Sequence, residues 1–213
     1  MKITNPLNTI LDNQTQIKIL RFLCRTGAQW NGRQIAKEVG VTPTTAHKAL
    51  HSLNKEGILL LSNVGKTHVY TLNEDQMIVS DILKPLFAKE GQVLNNAVDM
   101  IKRKVTSSKI KKDIVSVALF GSVNAKRDHA GSDIDLVVLM KNQGSKAGAE
   151  HLFEEIDKKI SKQFGNTVAP YINTLSEFRA KHNQGLGVIK NILKGYTMIY
   201  GKDLKGILWH LRD

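Results

Sequence analysis

Gly121-Ser122, followed after a nine-residue spacer by Ser132-Asp133-Ile134-Asp135-Leu136, constrains this chain more than any other stretch. Val115 to Phe120 is a short apolar, β-branched run ended by glycine, which predicts a buried strand. Gly121 permits close approach of the backbone to a ligand, and Ser122 opens a helix whose free N–H groups attract phosphate. Ile134 to Met140 predicts a second apolar strand with two carboxylates at its entrance. Asp133 and Asp135 stand at i and i+2, so a strand turns both to one face, roughly 7 Å apart at Cα. Aspartate is depleted in strands, and two facing the same way repel unless a cation lies between them. Two such carboxylates beside a phosphate-cradling turn are what Mg²⁺ ions holding a nucleoside triphosphate require.

The first third has an organisation of its own. Leu7, Ile10, Leu11, Ile17, Leu20, Phe22 and Leu23 predict a helical segment ending near Gly27. Asn31 is placed to cap a short helix from Gly32 to Val39, stopped by Gly40. Thr42 as N-cap with Pro43 at the first helical position predicts a third helix through Ala46, Leu50 and Leu53 to Gly57. Ile58 to Leu61, a turn at Asn63 to Lys66, and Thr67 to Leu72 then read as a β-hairpin.

The Gly-Ser…Ser-Asp-x-Asp stretch resembles the signature of the DNA-polymerase-β superfamily in its minimal nucleotidyltransferase form, over about residues 113–201. The resemblance implies nucleotide binding through Gly121, Ser122 and Ser132, with Asp133 and Asp135 as catalytic, Mg²⁺-binding residues. Residues 7–73 resemble a winged helix-turn-helix. That resemblance implies duplex DNA as partner, with Thr42, Thr44, Thr45, His47, Lys48 and His51 on the recognition helix and Lys66 at the wing tip. A small three-helix domain with a hairpin also serves as a protein-docking module. The expected fold class is α+β with two domains. A winged helix-turn-helix spans 1–75, a helical connector 76–112, and a nucleotidyltransferase-like mixed sheet with packed helices 113–213.

Composition bounds these readings. No apolar run reaches the roughly 18 residues of a membrane span, and Met1-Lys2-Ile3-Thr4 begins no secretory signal. Cys24 is the single cysteine and sits in an apolar helical pattern, which excludes an intrachain disulfide and fits a reducing cytoplasm. The net charge of +12 is uneven: residues 76–112 carry eight Lys/Arg against three Asp/Glu. Lys102-Arg103-Lys104 with Lys109, Lys111 and Lys112 reads as a nucleic-acid contact or as a solvated linker face. Gly65-Lys66-Thr67 imitates the end of a P-loop, but Leu60 stands where the upstream glycine belongs. His47 and His51 have metal-ligand spacing without the glutamate that a zinc-protease helix needs, so a DNA-facing or solvated role is expected.

The connector, Gln76 to Val105, carries an apolar stripe and a break or restart at Pro85, and can pack on either domain or in a homodimer. Beyond Met140, an amphipathic helix is expected from Ala147 to Phe164 and a third strand from Val168 to Leu175. A helical tail is expected from Ser176, its apolar positions continuing to Gly201. The family resemblance implies a third carboxylate on the third strand, and this chain has none there. Tyr171 or Asn173 takes the expected face, and Glu177 lies just beyond. Two function classes follow: transfer of a nucleotidyl group from Mg-NTP to an acceptor hydroxyl, or DNA-binding regulation with a nucleotide-sensing or scaffolding second domain.

Overall fold

A computed structural model describes residues 2–209, so Met1 and residues 210–213 of the expected end segments lie outside the described residues. The chain divides into two compact units, Met1–Gln92 and Val93–Asp213, and the division falls inside one helix. The fold is α+β, with two separate sheets.

The first unit holds α1 (Leu7–Ile10), α2 (Gln14–Thr26), β1 (Trp30–Asn31), α3 (Gly32–Val39), α4 (Pro43–Lys55), β2 (Leu59–Val64) and β3 (Thr67–Leu72). The single helix expected before Gly27 is two, because Asn13 leaves the helical region and its side chain accepts from Gln16 N–H at 3.1 Å. Asn31 and Gln34 form a reciprocal capping box at the start of α3. Thr42 caps α4 by accepting from Thr45 N–H, with Pro43 at the first position. β2 and β3 pair as an antiparallel hairpin, and β1 adds on the far side of β3. The core gathers Ile19, Leu20 and Leu23 of α2, Ile35 of α3, and Leu50 and Leu53 of α4. A π-helical stretch, Ile78–Leu83, leads into α5 (Lys84–Ser107), whose second residue is Pro85. Pro85 has no N–H to donate to the preceding turn, and it falls where the π-helical stretch gives way to α5, so the break in the ladder is confined to that junction.

The second unit comprises the later turns of α5, then β4 (Ile114–Leu119), α6 (Gly121–Asn124), β5 (Ile134–Met140), α7 (Lys146–Phe164) and β6 (Val168–Thr174). It closes with α8 (Leu175–Asn183), α9 (Gly187–Lys194), β7 (Thr197–Gly201) and α10 (Leu204–Trp209). The sheet order is β6-β5-β4-β7, with β5 and β6 parallel and the other neighbours antiparallel. One face carries Leu136, Val138 and Met140 against Ala97, Ile101 and Val105 of α5 and Phe153, Ile156 and Ile160 of α7. The other carries Ala118, Val137 and Leu139 against Phe178 of α8 and Ile189 and Ile192 of α9.

The expected helical tail to Gly201 is corrected. After Gly195 the chain becomes β7 and pairs with β4, from Leu119↔Thr197 to Ser116↔Gly201. Gly201 has φ +84°, and any Cβ there would meet the Val115 backbone, 2.8 Å from its carbonyl carbon. The opposite edge, β6, is protected. Asp157 takes the Val168 N–H at 2.7 Å, Glu177 takes that of Thr174 at 2.8 Å, and Pro170 has none to offer.

Candidate active site and nucleic-acid interface

The turn after β4 and the start of β5 meet. Phe120 is extended, donates its N–H to Asp135 O at 3.0 Å, and leads into α6 with no side chain capping the first turn. The opening N–H groups of that turn are therefore available to a ligand. Gly121 has φ +78°, and a Cβ on it would lie 2.8 Å from Asp135 Cγ and closer still to Oδ2. Only glycine lets this turn lie against that carboxylate. Ser122 is half-buried, and its carbonyl accepts from Arg127 N–H at 2.9 Å, which folds the spacer back.

The two aspartates have different surroundings. Asp133 is exposed and accepts from the Thr167 hydroxyl. Asp135 is half-buried, and its carboxyl is pushed above the usual range, first by burial and then by the charge of Asp133. Ser132 is buried. Its hydroxyl accepts from His129 N–H at 2.9 Å and its carbonyl from Asn166 Nδ2 at 3.0 Å, so it pins the loop that delivers Asp133.

Strand register fixes which residues of β6 stand beside Asp135. Asp135 is opposite Ala169, Val137 opposite Tyr171, and Leu139 opposite Asn173. Tyr171 and Asn173 share the face of Asp135, as the alternation predicts, but stand two and four residues farther along, about 7 and 14 Å from its level. The residues beside the aspartates are Thr167 and Ala169, which the sequence reading overlooked. Lys181 of α8 occupies the Tyr171–Asn173 position instead, donating to Asn173 Oδ1 at 2.6 Å and to the Tyr171 hydroxyl at 3.0 Å. Glu177 is at the other end of β6. It closes a capping box with Thr174, and Lys146 Nζ lies 2.6 Å from its Oε2. Its carboxyl is held below the usual range, first by the Lys146 hydrogen bond.

No cluster of three or more His, Cys, Asp or Glu suited to a metal exists among the described residues. The donor set still fits a hard divalent cation. Asp135 is raised first by burial and then by the charge of Asp133, which a cation would relieve, and it lies beside a cradle that a Cβ would fill. Such a site needs its remaining oxygen ligands from water and the ligand's own phosphates.

In the first unit, Thr42, Thr44, Thr45, His47, Lys48, His51 and Lys66 are all exposed. Thr42 also acts as the cap of α4, its hydroxyl 2.8 Å from that of Thr45. A cleft of about 570 Å³ lies between the start of α3, α4 and the hairpin, lined by Arg33, His47, Lys66, His68, Asn31 and Tyr70, among others. Arg33 and His68 were missed in the sequence because only the fold brings them to His47 and Lys66. No described helix is long and apolar enough to cross a membrane.

Residues 101–205 match the family model described as "Polymerase beta, Nucleotidyltransferase", and residues 15–69 match one described as "HTH domain". A Methanocaldococcus jannaschii protein named "Putative protein adenylyltransferase MJ1305" is 29% identical over 115 residues, spanning 54% of this chain and 76% of that protein. The chain is also similar to the crystal structure of a possible transcriptional regulatory protein (fragment 1–100) from Mycobacterium bovis. That match has 22% identity over 42% of this chain and 88% of the other, at a TM-score of 0.32.

Proposed function

We propose that this chain, which joins a polymerase-β-type nucleotidyltransferase domain to a helix-turn-helix domain, binds duplex DNA and transfers a nucleotidyl group from Mg-NTP to an acceptor hydroxyl. The observation that carries the transfer reading is the contact of Asp135 with the Gly121 turn beside Asp133. Asp133 and Asp135 would hold Mg²⁺, which when bound neutralises phosphate charge and makes the α-phosphorus open to attack. The N–H groups at Gly121 and Ser122 receive phosphate oxygens, and Ser132 fixes the loop between them. The acceptor oxygen bonds to the α-phosphorus, pyrophosphate leaves, and the acceptor proton passes to solvent, since Ala169 offers no base. The name of the archaeal relative supports a protein side chain as the acceptor class.

Ala169 opposite Asp135 also supports a second reading: a DNA-binding regulator whose nucleotidyltransferase domain senses nucleotide without fast turnover. Labelled-nucleotide transfer to protein and nucleic-acid acceptors separates the two. The first reading expects label that is lost in Asp133→Ala with Asp135→Ala, and bound nucleotide without any transfer supports the second.

DNA binding rests on the exposed face of α4 and the basic cleft at Arg33, His47, Lys66 and His68. Affinity falls with salt because counterions are released. Lys48→Ala and Lys66→Ala weaken binding to all sequences, while Thr45 and His47 changes alter sequence preference. Gel shifts at low salt that are identical for wild type and these variants would reject it. Cys24, the single cysteine and half-buried, leaves no intrachain disulfide to form and so supports a cytoplasmic location.

A further inference from the structure

The stretch from Met100 to Lys112 contains six Lys/Arg and no Asp or Glu. It forms the end of α5 and the turn before β4. Lys102, Arg103, Lys109, Lys111 and Lys112 are exposed, as are Lys158, Lys159 and Lys162 on α7. Between the two helices lies a cleft of about 480 Å³, lined by Lys104, Ser107, Lys109, His151 and Glu155 among others. Lys104 and Lys159 are like charges on neighbouring helices, and Lys159 is held below the usual lysine range, first by Lys104. One acid, Glu155, also lines the cleft, 3.4 Å from His151. None of these lysines and arginines has an ion-pair partner among the described residues.

Like charges gathered in excess of the acids among them are a polyanion site in waiting. The triphosphate is not their partner. α5 and α7 cover the sheet face of Leu136 and Val138, whereas Asp135 alternates to the other face. A membrane surface is a poor fit too, because the large exposed apolar side chains of the described residues fall outside 100–112 and α7. We propose that this face of the nucleotidyltransferase domain is a second nucleic-acid surface, gripping duplex-DNA backbone phosphates without reading bases. Only the choice of DNA among polyanions rests on the function proposed above.

The test is made in the full chain carrying Lys48→Ala and Lys66→Ala, so that failure of the helix-turn-helix reading cannot mask the result. Lys102, Lys109, Lys111 and Lys159 are changed to Gln together. A control changes Lys190, Lys194, Lys202 and Lys205 to Gln, which removes the same charge from elsewhere. Binding to random-sequence duplex is titrated against salt. The first set should flatten the log–log salt slope by about 0.9 for each phosphate that is no longer neutralised. It should also weaken binding at least tenfold more than the control set does. Equal effects from both sets would overturn the proposal. So would a first set that loses affinity for phosphatidylserine vesicles but not for duplex.

Discussion

Replacing Gly121 with alanine tests the site at its tightest point. The new Cβ would fall 2.8 Å from Asp135 Cγ and 3.1 Å from Asp135 Cβ, on a backbone with φ +78°. Forcing an L-residue into that region costs about 1–2 kcal/mol. Overpacking against the carboxylate adds about 1–3 kcal/mol. Gly121→Ala should therefore lose about 2–5 kcal/mol of stability and its nucleotide binding as well. The two contributions separate in a double-mutant cycle. Asp135→Ala removes the two closest atoms, Oδ2 and Cγ, and keeps only Cβ, so in Gly121→Ala with Asp135→Ala most of the overpacking share returns and the backbone share stays. Urea denaturation of the four proteins should thus give a coupling of about 1–3 kcal/mol, with nucleotide binding absent from all but the wild type. Additive losses, or a Gly121→Ala protein as stable as wild type, would refute the packing of this turn on Asp135.

Asp135 holds its proton more tightly folded than unfolded, because burial and Asp133 raise it. Its ionisation therefore costs stability as pH rises from the ordinary aspartate range through the raised value. Asp135→Asn should match wild type at low pH and exceed it at neutral pH in denaturation midpoints. Ala169→Asp sets a third carboxylate opposite Asp135 and should raise labelled-nucleotide transfer by about 10²-fold, whereas Asn173→Asp and Tyr171→Asp should not. An equal gain at Asn173 would show the register argument to be wrong. Glu177→Ala should lower stability by about 1 kcal/mol by opening its capping box and leave transfer unchanged in the same assay. Cys24, its thiol pushed up to about 11 chiefly by burial, should react slowly with a thiol reagent in the native protein and rapidly after denaturation.

Local chemistry made much of this molecule readable. Asn31, Thr42 and Pro43 announced the starts of α3 and α4 because caps act within three residues of the group they satisfy. The meeting of Gly121 with Asp135 was readable because a glycine ending one apolar strand and two aspartates opening the next are local signals. What stayed hidden depends on pairing between distant segments. Thr197–Gly201 is a strand because β4 is available to it, and its apolar residues alone continued a helical pattern. Ala169 became the neighbour of Asp135 only through a parallel register, and one side chain's alternation cannot fix the level at which strands align. Arg33 and His68 joined the cleft from separate elements, which no local pattern announces.

The central claim is that Asp133, Asp135 and the Gly121 turn together bind Mg-nucleotide. Calorimetry with a non-hydrolysable NTP, with and without Mg²⁺, tests it on wild type and on Asp133→Asn with Asp135→Asn. Binding should depend on Mg²⁺ in wild type and be absent from a double mutant that keeps its fold. Affinity that is unchanged in the double mutant, or indifferent to Mg²⁺, would contradict it.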